Sequence, residues 1–183
     1  LRLLQTENSN PDYHVYETLE EETQRIAETV KSLVAFAQPR EPVKSAVDLN
    51  DILKDVICSF KDTGLGNGAQ IVESLDKNMP AIMADKEQIA LACRNIIDNS
   101  RRATNGKTCL EIVTKMGTSN NINVFFCDPG RGIPSDVIDK VFDPFFVEND
   151  EERGMGLGLC VSHDIIKRHG GSLTAKNQKE KGT

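Results

Sequence analysis

The sequence Asp128-Pro-Gly-Arg-Gly-Ile-Pro134 is the most informative stretch for the fold. It directly follows the apolar run Ile122-Asn-Val-Phe-Phe-Cys127. Aromatic and β-branched residues in a run of this length are typical of a strand, which places Asp128 where the strand gives way to a loop. Gly130 and Gly132 have no Cβ atom, so the loop backbone can adopt positive φ and bring its N–H groups close to a ligand. The pattern predicts a strand followed by a loop built for contact with a bound molecule.

A second glycine-bearing sequence, Gly154-Met-Gly-Leu-Gly-Leu159, lies downstream of the aromatic cluster Phe142-Asp-Pro-Phe-Phe146. A helix is predicted over 156–169, with Gly170 in the C′ position. The unpaired N–H groups and partial positive charge at a helix N-terminus suit a phosphate chain. The second glycine sequence therefore indicates a phosphate site. It is not a Walker-type site, since neither GxxxxGKS nor GxxxxGKT occurs.

Residues 147–153, between the aromatic cluster and the second glycine sequence, are polar, and we interpret them as a mobile lid. Phe142, Phe145 and Phe146 are expected to pack in the core and at the hinge of that lid rather than against a bound base. A helix of about two turns is predicted over 135–142.

A helix from Asp85 to about Thr104 carries candidate ligand side chains. Asp85 and Gln88 form a capping box, in which each side chain would bond to the backbone N–H of the other residue. One face of the helix is expected to be buried and comprises Ile89, Ala92, Cys93, Ile96, Ile97, Ser100 and Ala103. Asn95, Asn99 and Arg102 recur at steps of four and three on another face. The helix can therefore pack on a sheet while presenting two amides and a guanidinium to a cleft.

One uninterrupted helix is predicted from the break at 8–12 to Ala37, after the last turn of another helix at 1–5. Seven positions, apolar except for Thr23, alternate in steps of three and four, as in the seam of a coiled coil or four-helix bundle: Tyr16, Leu19, Thr23, Ile26, Val30, Leu33 and Ala37. Such a stripe requires partner helices, which the preceding helix and a second copy of the chain would supply. The alternative is packing on the following domain of the same chain. Pro39 and Pro42 end the helix and mark a linker.

The remaining segments complete an α/β pattern. Asp48 is a candidate cap for a helix to Phe60. The glycine-rich residues 64–68 are interpreted as a loop and not as a nucleotide site, because no helix follows them. Strands are predicted over 70–75, 80–83, 109–116, 122–127 and 172–176. This order predicts a two-layer α/β sandwich with a mixed sheet backed by helices on one side.

Composition and charge exclude several classes of protein. With 38% hydrophobic and 27% charged residues among 183, the chain has ordinary globular composition. Its net charge of -6 gives no electrostatic basis for binding nucleic acid or an anionic membrane. Neither a run of about 20 apolar residues nor a signal peptide occurs. We therefore expect a cytoplasmic location, and any membrane anchor of a longer parent protein would lie outside this sequence.

The five cysteines are odd in number and widely spaced, which favours reduced core thiols over a disulfide framework or a metal site. They are Cys58, Cys93, Cys109, Cys127 and Cys160.

Four segments in this order, residues 95–99, 128–134, 142–146 and 154–159, resemble the N, G1, F and G2 boxes of sensor histidine kinases. Those kinases share the GHKL (Bergerat) ATPase fold with gyrase, Hsp90 and MutL. The resemblance implies ATP and Mg²⁺ as cofactors. It also implies three parts, namely the end of a dimerisation and histidine-phosphotransfer hairpin (1–38), a linker (39–46) and an ATP-binding catalytic domain (47–183).

The resemblance further implies roles for single residues. Asn99 matches the magnesium ligand, Asn95 would reach a metal-bound water or the phosphates, and Arg102 matches a basic residue that contacts phosphate. These three form the expected catalytic set. Asp128 would accept a hydrogen bond from the exocyclic amine of adenine. The other expected ATP contacts are Gly130, Gly132, Ile133, Arg153, Gly154, Met155, Gly156, Leu157, Gly158, Leu159 and Thr183.

Each role has a structural alternative. Asn95 and Asn99 would be exposed polar residues of a helix, Arg102 would pair with Asp98 one turn away, and Asp128 would cap a turn.

The start of the lid departs from the family pattern. Many relatives place a threonine pair and a lysine after the F box, where this chain has Val147, Glu148 and Asn149. A positive charge at the γ-phosphate is then missing, and Arg153 would supply it.

The implied activity is transfer of the ATP γ-phosphoryl group to a histidine, and then to an aspartate on the receiver domain of a response regulator. His14, His163 and His169 all lack the surroundings of such an acceptor, roughly His-Glu-x-x-Asn-Pro, so we expect the acceptor upstream of Leu1. Three alternatives stay open. A mechanical ATPase of the gyrase type has a glutamate where this chain has Asn95, a serine kinase of the anti-sigma type has no helical hairpin, and a binding module would have no activity.

Overall fold

The computed structural model describes residues 13–62, 70–104, 109–118, 121–148 and 155–178. It divides into two compact units, Leu1–Pro39 and Arg40–Thr183. The predicted helix end at 1–5 and the glycine-rich loop at 64–68 lie outside the described residues. None of the described helices combines the length and apolarity that crossing a membrane requires.

The first unit contains helix α1, Tyr13–Ala37, as the sequence predicts. Thr23 is the one polar residue of the predicted seam, and its hydroxyl donates to the carbonyl of Leu19 at 2.6 Å. Because this bond satisfies the hydroxyl within the helix, threonine is tolerated in an apolar stripe. The apolar side chains of the stripe are exposed, with Tyr16, Leu19, Ile26, Val30 and Leu33 all more than a third accessible.

The second unit begins with a short antiparallel pair of strands, β1 (Ser45–Val47) and β3 (Ile82–Ala84). Helix α2, Leu49–Asp62, lies between them in sequence. Asp48 caps α2, since its carboxylate accepts from the amides of Asn50 at 2.8 Å and Asp51 at 3.4 Å.

The main sheet has three strands in the order β2-β4-β5, namely β2 (Gln70–Leu75), β4 (Cys109–Met116) and β5 (Ile122–Cys127). β2 is parallel to β4 and β5 is antiparallel to it, so the sheet is mixed as predicted. Alternate residues of β4 enter the core, where Leu110, Ile112 and Thr114 are almost completely buried.

Thr114 is a polar residue in this core, and its hydroxyl is fully used. It donates to the side-chain oxygen of Asn50 at 3.0 Å and accepts from the amide of Asp76 at 2.9 Å. The amide group of Asn50 donates in turn to the carbonyl of Asp76 at 2.8 Å. The network joins the start of α2 to the ends of β2 and β4 without an unsatisfied group among these atoms.

Helices α3 (Lys86–Ala103) and α4 (Gly158–Arg168) pack together and complete the core. Of the predicted buried face of α3, Ile96 and Ala103 are half-buried and the others are buried. The apolar core side chains from the three helices are Leu49, Ile52, Leu53, Val56, Ile57, Ile89, Ala92, Cys93, Ile97, Val161 and Ile165. The two-layer α/β architecture is confirmed.

Asp85 caps α3 and also joins it to two other segments. Its carboxylate accepts from the amides of Glu87 and Gln88, both at 3.1 Å, and from the amide of Val43 at 2.9 Å. Its own amide donates to Nε2 of His169, at the end of α4, at 3.0 Å. The cap is therefore the meeting point of α3, α4 and the chain that precedes β1.

The predicted capping box is only half formed. Gln88 does not bond back to the amide of Asp85, because His169 already occupies that donor. Its Nε2 donates instead to the carbonyl of Arg40 at 3.2 Å. Its buried Oε1 has no partner among the described residues.

Two further predictions of regular structure are wrong. In place of a helix over 135–142 there is a single 3-10 turn at Ile138–Lys140, flanked by other turns. The backbone bonds here join residues three apart, from Val137 to Pro134 and from Lys140 to Val137, so successive tight turns replace an α-helix. Residues 172–176 form no strand within the described part of the chain. Asn177 beyond them brackets Ile133 with its side chain instead of continuing a ladder.

The cysteines are reduced, as predicted, but they are not all in the core. Cys58 and Cys109 are exposed, because they lie on the outward faces of α2 and β4. Burial raises the pKa of the Cys93 thiol to about 12. Burial, together with nearby carboxylates, also raises the pKa of Cys127 and of Cys160. A raised pKa favours the protonated thiol, so these three cysteines are weaker nucleophiles than an ordinary cysteine at neutral pH.

The pKa of Asp85 shows how strongly its ionised form is held. Burial alone would raise this pKa, but hydrogen bonds from the amides of Val43, Gln88 and Glu87 and the charge of Arg40 outweigh burial, and the pKa lies below its ordinary value of 3.8. Folding therefore favours the carboxylate. Its contribution to stability is complete above the ordinary pKa and is lost as the pH falls through the lower folded-state pKa.

Asp85→Asn keeps an oxygen acceptor at the cap but removes its charge. We expect the free energy of unfolding at pH 7 to fall by about 1–2 kcal/mol, and the difference from wild type to shrink as the pH is lowered from about 5 towards 3. Urea unfolding followed by circular dichroism measures both quantities. Asp48→Asn is the matched control at an exposed cap and should lose less at pH 7. A loss of equal size at pH 7 and pH 3 would contradict this account of Asp85.

Candidate functional site

The first wall of the candidate site is the face of α3 that carries Asn95, Asn99 and Arg102. Asn95 is half-buried, and its Nδ2 donates to the carbonyl of Gly158, in the first turn of α4, at 3.1 Å. This bond uses the amide nitrogen as the donor and leaves Oδ1 as an acceptor. Asn99, one turn further along, is exposed. The amide of Asn95 therefore lies beside the start of α4, and Asn99 follows one turn further along the helix.

The second wall is the G1 loop after β5. Asp128 is buried, and its Oδ1 accepts from the amide of Gly130 at 2.8 Å, so the turn-capping alternative is realised by this oxygen. The described residues supply no donor to its other oxygen, Oδ2. One oxygen of the carboxylate thus fixes the turn, and the second is available as an acceptor.

Gly130 brings this loop against the end of α3. A Cβ atom on Gly130 would lie 2.5 Å from Oδ1 of Asp128 and 3.2 Å from Cβ of Ala103. The first distance is far inside van der Waals contact, so any side chain would break the turn or push the loop away from the helix. Glycine is required here by close approach rather than by its φ angle.

Ile133 is held by Asn177, a residue that sequence reasoning missed. The amide of Ile133 donates to Oδ1 of Asn177 at 2.8 Å, and Nδ2 of Asn177 donates to the carbonyl of Ile133 at 2.6 Å. A side-chain amide thus satisfies both backbone groups, as a neighbouring strand would. No local pattern marks this asparagine, because its partner is 44 residues away.

The F and G2 boxes meet through their backbones. Gly156 has φ +65°, and a Cβ on it would lie 2.5–2.7 Å from backbone atoms of Phe145 and Phe146. The amide of Phe145 donates to the carbonyl of Gly156 at 3.1 Å. Phe145 itself has φ +63°, which is uncommon for an aromatic residue and sets the geometry of this turn. The two boxes therefore hold each other in place.

The aromatic side chains of the F box have different surroundings. Phe142 stacks on His163 of α4, with ring centroids 5.2 Å apart, which agrees with the predicted packing role. Phe146 is half-buried, but Phe145 is 58% exposed and does not lie in the core.

Helix α4 begins at Gly158, two residues later than predicted, with Leu157 buried beneath it. The hydroxyl of Ser162 lies 2.8 Å from the carbonyl of Gly158 and 3.3 Å from that of Ala92 on α3. Met155 is exposed and Leu159 is half-buried at the same end. The predicted residues Arg153, Gly154 and Thr183 lie outside the described residues.

Arg102 forms the ion pair that the sequence left open as its alternative role. Its Nη2 lies 2.6 Å from Oδ2 of Asp98. Arg101 also binds this carboxylate, with Nε at 3.1 Å and Nη2 at 2.9 Å from Oδ1. One carboxylate thus holds two guanidinium groups on α3.

The arrangement can hold an adenine nucleotide with a divalent cation. The described residues contain no cluster of three or more His, Cys, Asp or Glu side chains that could hold a metal ion. Mg²⁺ accepts amide and phosphate oxygens and keeps several waters, so Asn99 with a bound phosphate chain fits its chemistry. Asp128 can accept a hydrogen bond from an amine, and the N-terminus of α4 offers backbone N–H groups to an anion.

Comparison with known proteins places this geometry in a family. Residues 84–183 match the family model described as histidine kinase-, DNA gyrase B-, and HSP90-like ATPase. Sensor histidine kinase ZraS of Escherichia coli K12 is 26% identical over 93% of this chain and 36% of its own length. Sensory histidine kinase/phosphatase NtrB of Rhodobacter capsulatus is 27% identical over 96% of this chain and 52% of its own.

Solved structures show the same fold. Histidine kinase ThkA, in complex with response regulator protein TrrA, aligns with a TM-score of 0.72 at 19% identity, over 98% of this chain and 51% of its own. The chain spans between about a third and a half of the length of the curated relatives named above. The family model covers more than half of this chain and includes all four boxes. The chain therefore belongs to the family of histidine kinase-, DNA gyrase B- and HSP90-like ATPases.

Proposed function

We propose that this chain is the ATP-binding part of a dimeric sensor histidine kinase. It binds Mg-ATP, transfers the γ-phosphoryl group to a histidine upstream of Leu1 in the longer protein, and passes it to an aspartate on a response-regulator receiver domain. One observation carries the proposal. The amide-bearing face of α3 contacts the start of α4 through Asn95, and its last turn contacts the G1 loop at Gly130, so the segments expected to bind phosphate and adenine flank one helix.

The residues of the two walls and the lid have different proposed roles in binding Mg-ATP. Asn99 would hold Mg²⁺ through its neutral side-chain oxygen, and the cation would supply positive charge that offsets the charge developing during phosphoryl transfer. Asn95 is oriented by its bond to Gly158 and keeps its oxygen for a metal-bound water or the phosphates. Asp128 accepts from the adenine amine through the oxygen that the turn leaves unused. Arg102, and Arg153 in the lid, supply positive charge to the phosphates.

The chemistry and the hydrogen-bond partners of Asn95 and Asp98 favour a kinase over a mechanical ATPase. A hydrolytic enzyme needs a base to activate water, and gyrase-type relatives have a glutamate at the position of Asn95. An amide cannot take that proton, and this one donates to a carbonyl. Asp98 is engaged by two arginines and is not placed as a base.

Two of the three histidines, both in the second unit, support an acceptor elsewhere in the protein. His163 stacks on Phe142, and His169 bonds to backbone atoms through both ring nitrogens. Both imidazoles are used in packing or capping. The exposed stripe of α1 supports the proposed dimer, since a four-helix bundle would bury it against a second copy. A cytoplasmic location, as the sequence predicts, is consistent with the proposed use of ATP.

Replacing Asp128 tests adenine recognition. Asp128→Asn can keep the turn to Gly130 but loses the charged acceptor, so ATP affinity should fall about tenfold or more and the preference for ATP over GTP should shrink. Titration calorimetry with ATP and GTP measures both effects. Asp76→Asn changes a similar turn, in which the carboxylate accepts from the amide of Asn78, and should leave affinity unchanged. Equal ATP affinity in wild type and Asp128→Asn would refute the assignment.

Replacing Asn99 tests the metal site. Asn99→Ala should abolish most of the gain in ATP affinity that Mg²⁺ gives the wild type, because the only protein oxygen proposed as a ligand is removed. Affinity without Mg²⁺ should change about twofold or less. The measurement is ATP titration with Mg²⁺ and with EDTA. Asn123→Ala, at an exposed asparagine of β5, is the control. An unchanged response of Asn99→Ala to Mg²⁺ would rule out this ligand.

A further inference from the structure

We propose that Asp98 is a positioning residue that sets the affinity for the phosphate groups of a nucleotide. Asp98 holds Arg102 while the site is empty, and Arg102 moves to the phosphates when a nucleotide binds. Arg101 then remains as the partner of the carboxylate. The inference deepens the proposed function and rests on it, since it concerns how the same site takes up its ligand. Its physical basis is the juxtaposition of one carboxylate with two guanidinium groups in the last two turns of α3.

The two oxygens of Asp98 are divided between the arginines. Oδ1 accepts from Nε and Nη2 of Arg101, at 3.1 and 2.9 Å, and Oδ2 accepts from Nη2 of Arg102 at 2.6 Å. Charge-assisted hydrogen bonds of this kind are short and stronger than neutral ones. Both guanidinium groups are thereby fixed on the helix rather than distributed over many rotamers.

Exposure indicates which arginine leaves. The side chain of Arg102 is 41% exposed, against 27% for Arg101 and 21% for Asp98. Arg102 shares its helix face with Asn95 and Asn99, and it directly precedes Ala103, which the G1 loop contacts at Gly130. The more accessible arginine is therefore the one beside the expected ligand.

Arg102 can move from Asp98 to a phosphate because the carboxylate keeps another partner. When Arg102 turns to a phosphate group, Asp98 keeps both bonds from Arg101, so no half-buried charge is left unpaired. The carboxylate still competes with the phosphates for Arg102. This competition weakens nucleotide binding, more so for each additional phosphate that Arg102 could contact.

The same geometry occurs away from the site and offers a matched control. Arg168 and Asp164 on α4 are also an i, i+4 pair at 2.6 Å. Arg168 also contacts Glu41, on the segment before β1, and takes no part in the proposed nucleotide contacts. Asp164→Asn removes the same charge from the same kind of pair.

We expect Asp98→Asn to tighten ATP binding about three- to tenfold, ADP binding by less, and adenosine binding not at all. A purely structural role would affect all three ligands alike. Asp98→Glu should restore wild-type affinities, and Arg101→Gln should weaken ATP binding about threefold because Asp98 then holds Arg102 alone. Asp164→Asn should match the wild type for every ligand.

The experiment is titration calorimetry of the full 183-residue chain with ATP, ADP and adenosine in the presence of Mg²⁺, with thermal unfolding to verify that each variant is folded. The decisive comparison is Asp98→Asn in a background of Arg102→Gln. If Asp98 acts through Arg102, the change in ATP affinity falls below about twofold in that background. An undiminished change would show a direct charge effect and overturn the positioning role.

The two proposals fail in different ways. Absence of ATP binding by the wild-type chain would refute the proposed function itself. Normal wild-type binding with an unchanged or weaker ATP affinity in Asp98→Asn would refute only the role of Asp98.

Discussion

The structure of the second unit depends on a constraint on α3, which must bury one face in the core and keep another face against two glycine-bearing segments. Ile89, Ala92, Cys93 and Ile97 meet the first requirement. The second is met at the Asn95–Gly158 hydrogen bond and at the contact between Gly130 and Ala103. Because both glycine segments are fixed to one rigid helix, the expected phosphate and adenine contacts have a fixed separation. Such pre-organisation reduces the entropy lost when a ligand binds.

The opposite end of α3 is held by a different network. His169 fixes its position by accepting from the amide of Asp85 through Nε2 and bonding to the carbonyl of Ile165 through Nδ1. These partners require a neutral imidazole that carries its proton on Nδ1. Arg40 and Val43 reach the same cap, so the chain that enters the unit is tied to the helix that bears the site. Both ends of α3 are thus restrained by residues distant in sequence.

Local patterns were sufficient for much of the fold. The steps of three and four in α1 predicted its extent, and the strands β4 and β5 have the predicted limits because alternating and apolar runs record burial directly. The family of the chain was also evident from the order of its four boxes. In contrast, Asp85 with His169, Asn177 with Ile133, and Thr114 with Asn50 join residues 44 to 84 positions apart. Such contacts depend on how elements pack, which no local spacing records.

The central claim is that an adenine nucleotide binds between α3 and the G1 loop, with its metal on a neutral oxygen. The most direct measurement is a crystal structure of the chain with a non-hydrolysable ATP analogue and Mg²⁺. The account predicts the adenine amine at hydrogen-bond distance from Asp128 and the metal on Oδ1 of Asn99. A nucleotide bound elsewhere, or a metal without contact to Asn99 in a fully occupied complex, would contradict it.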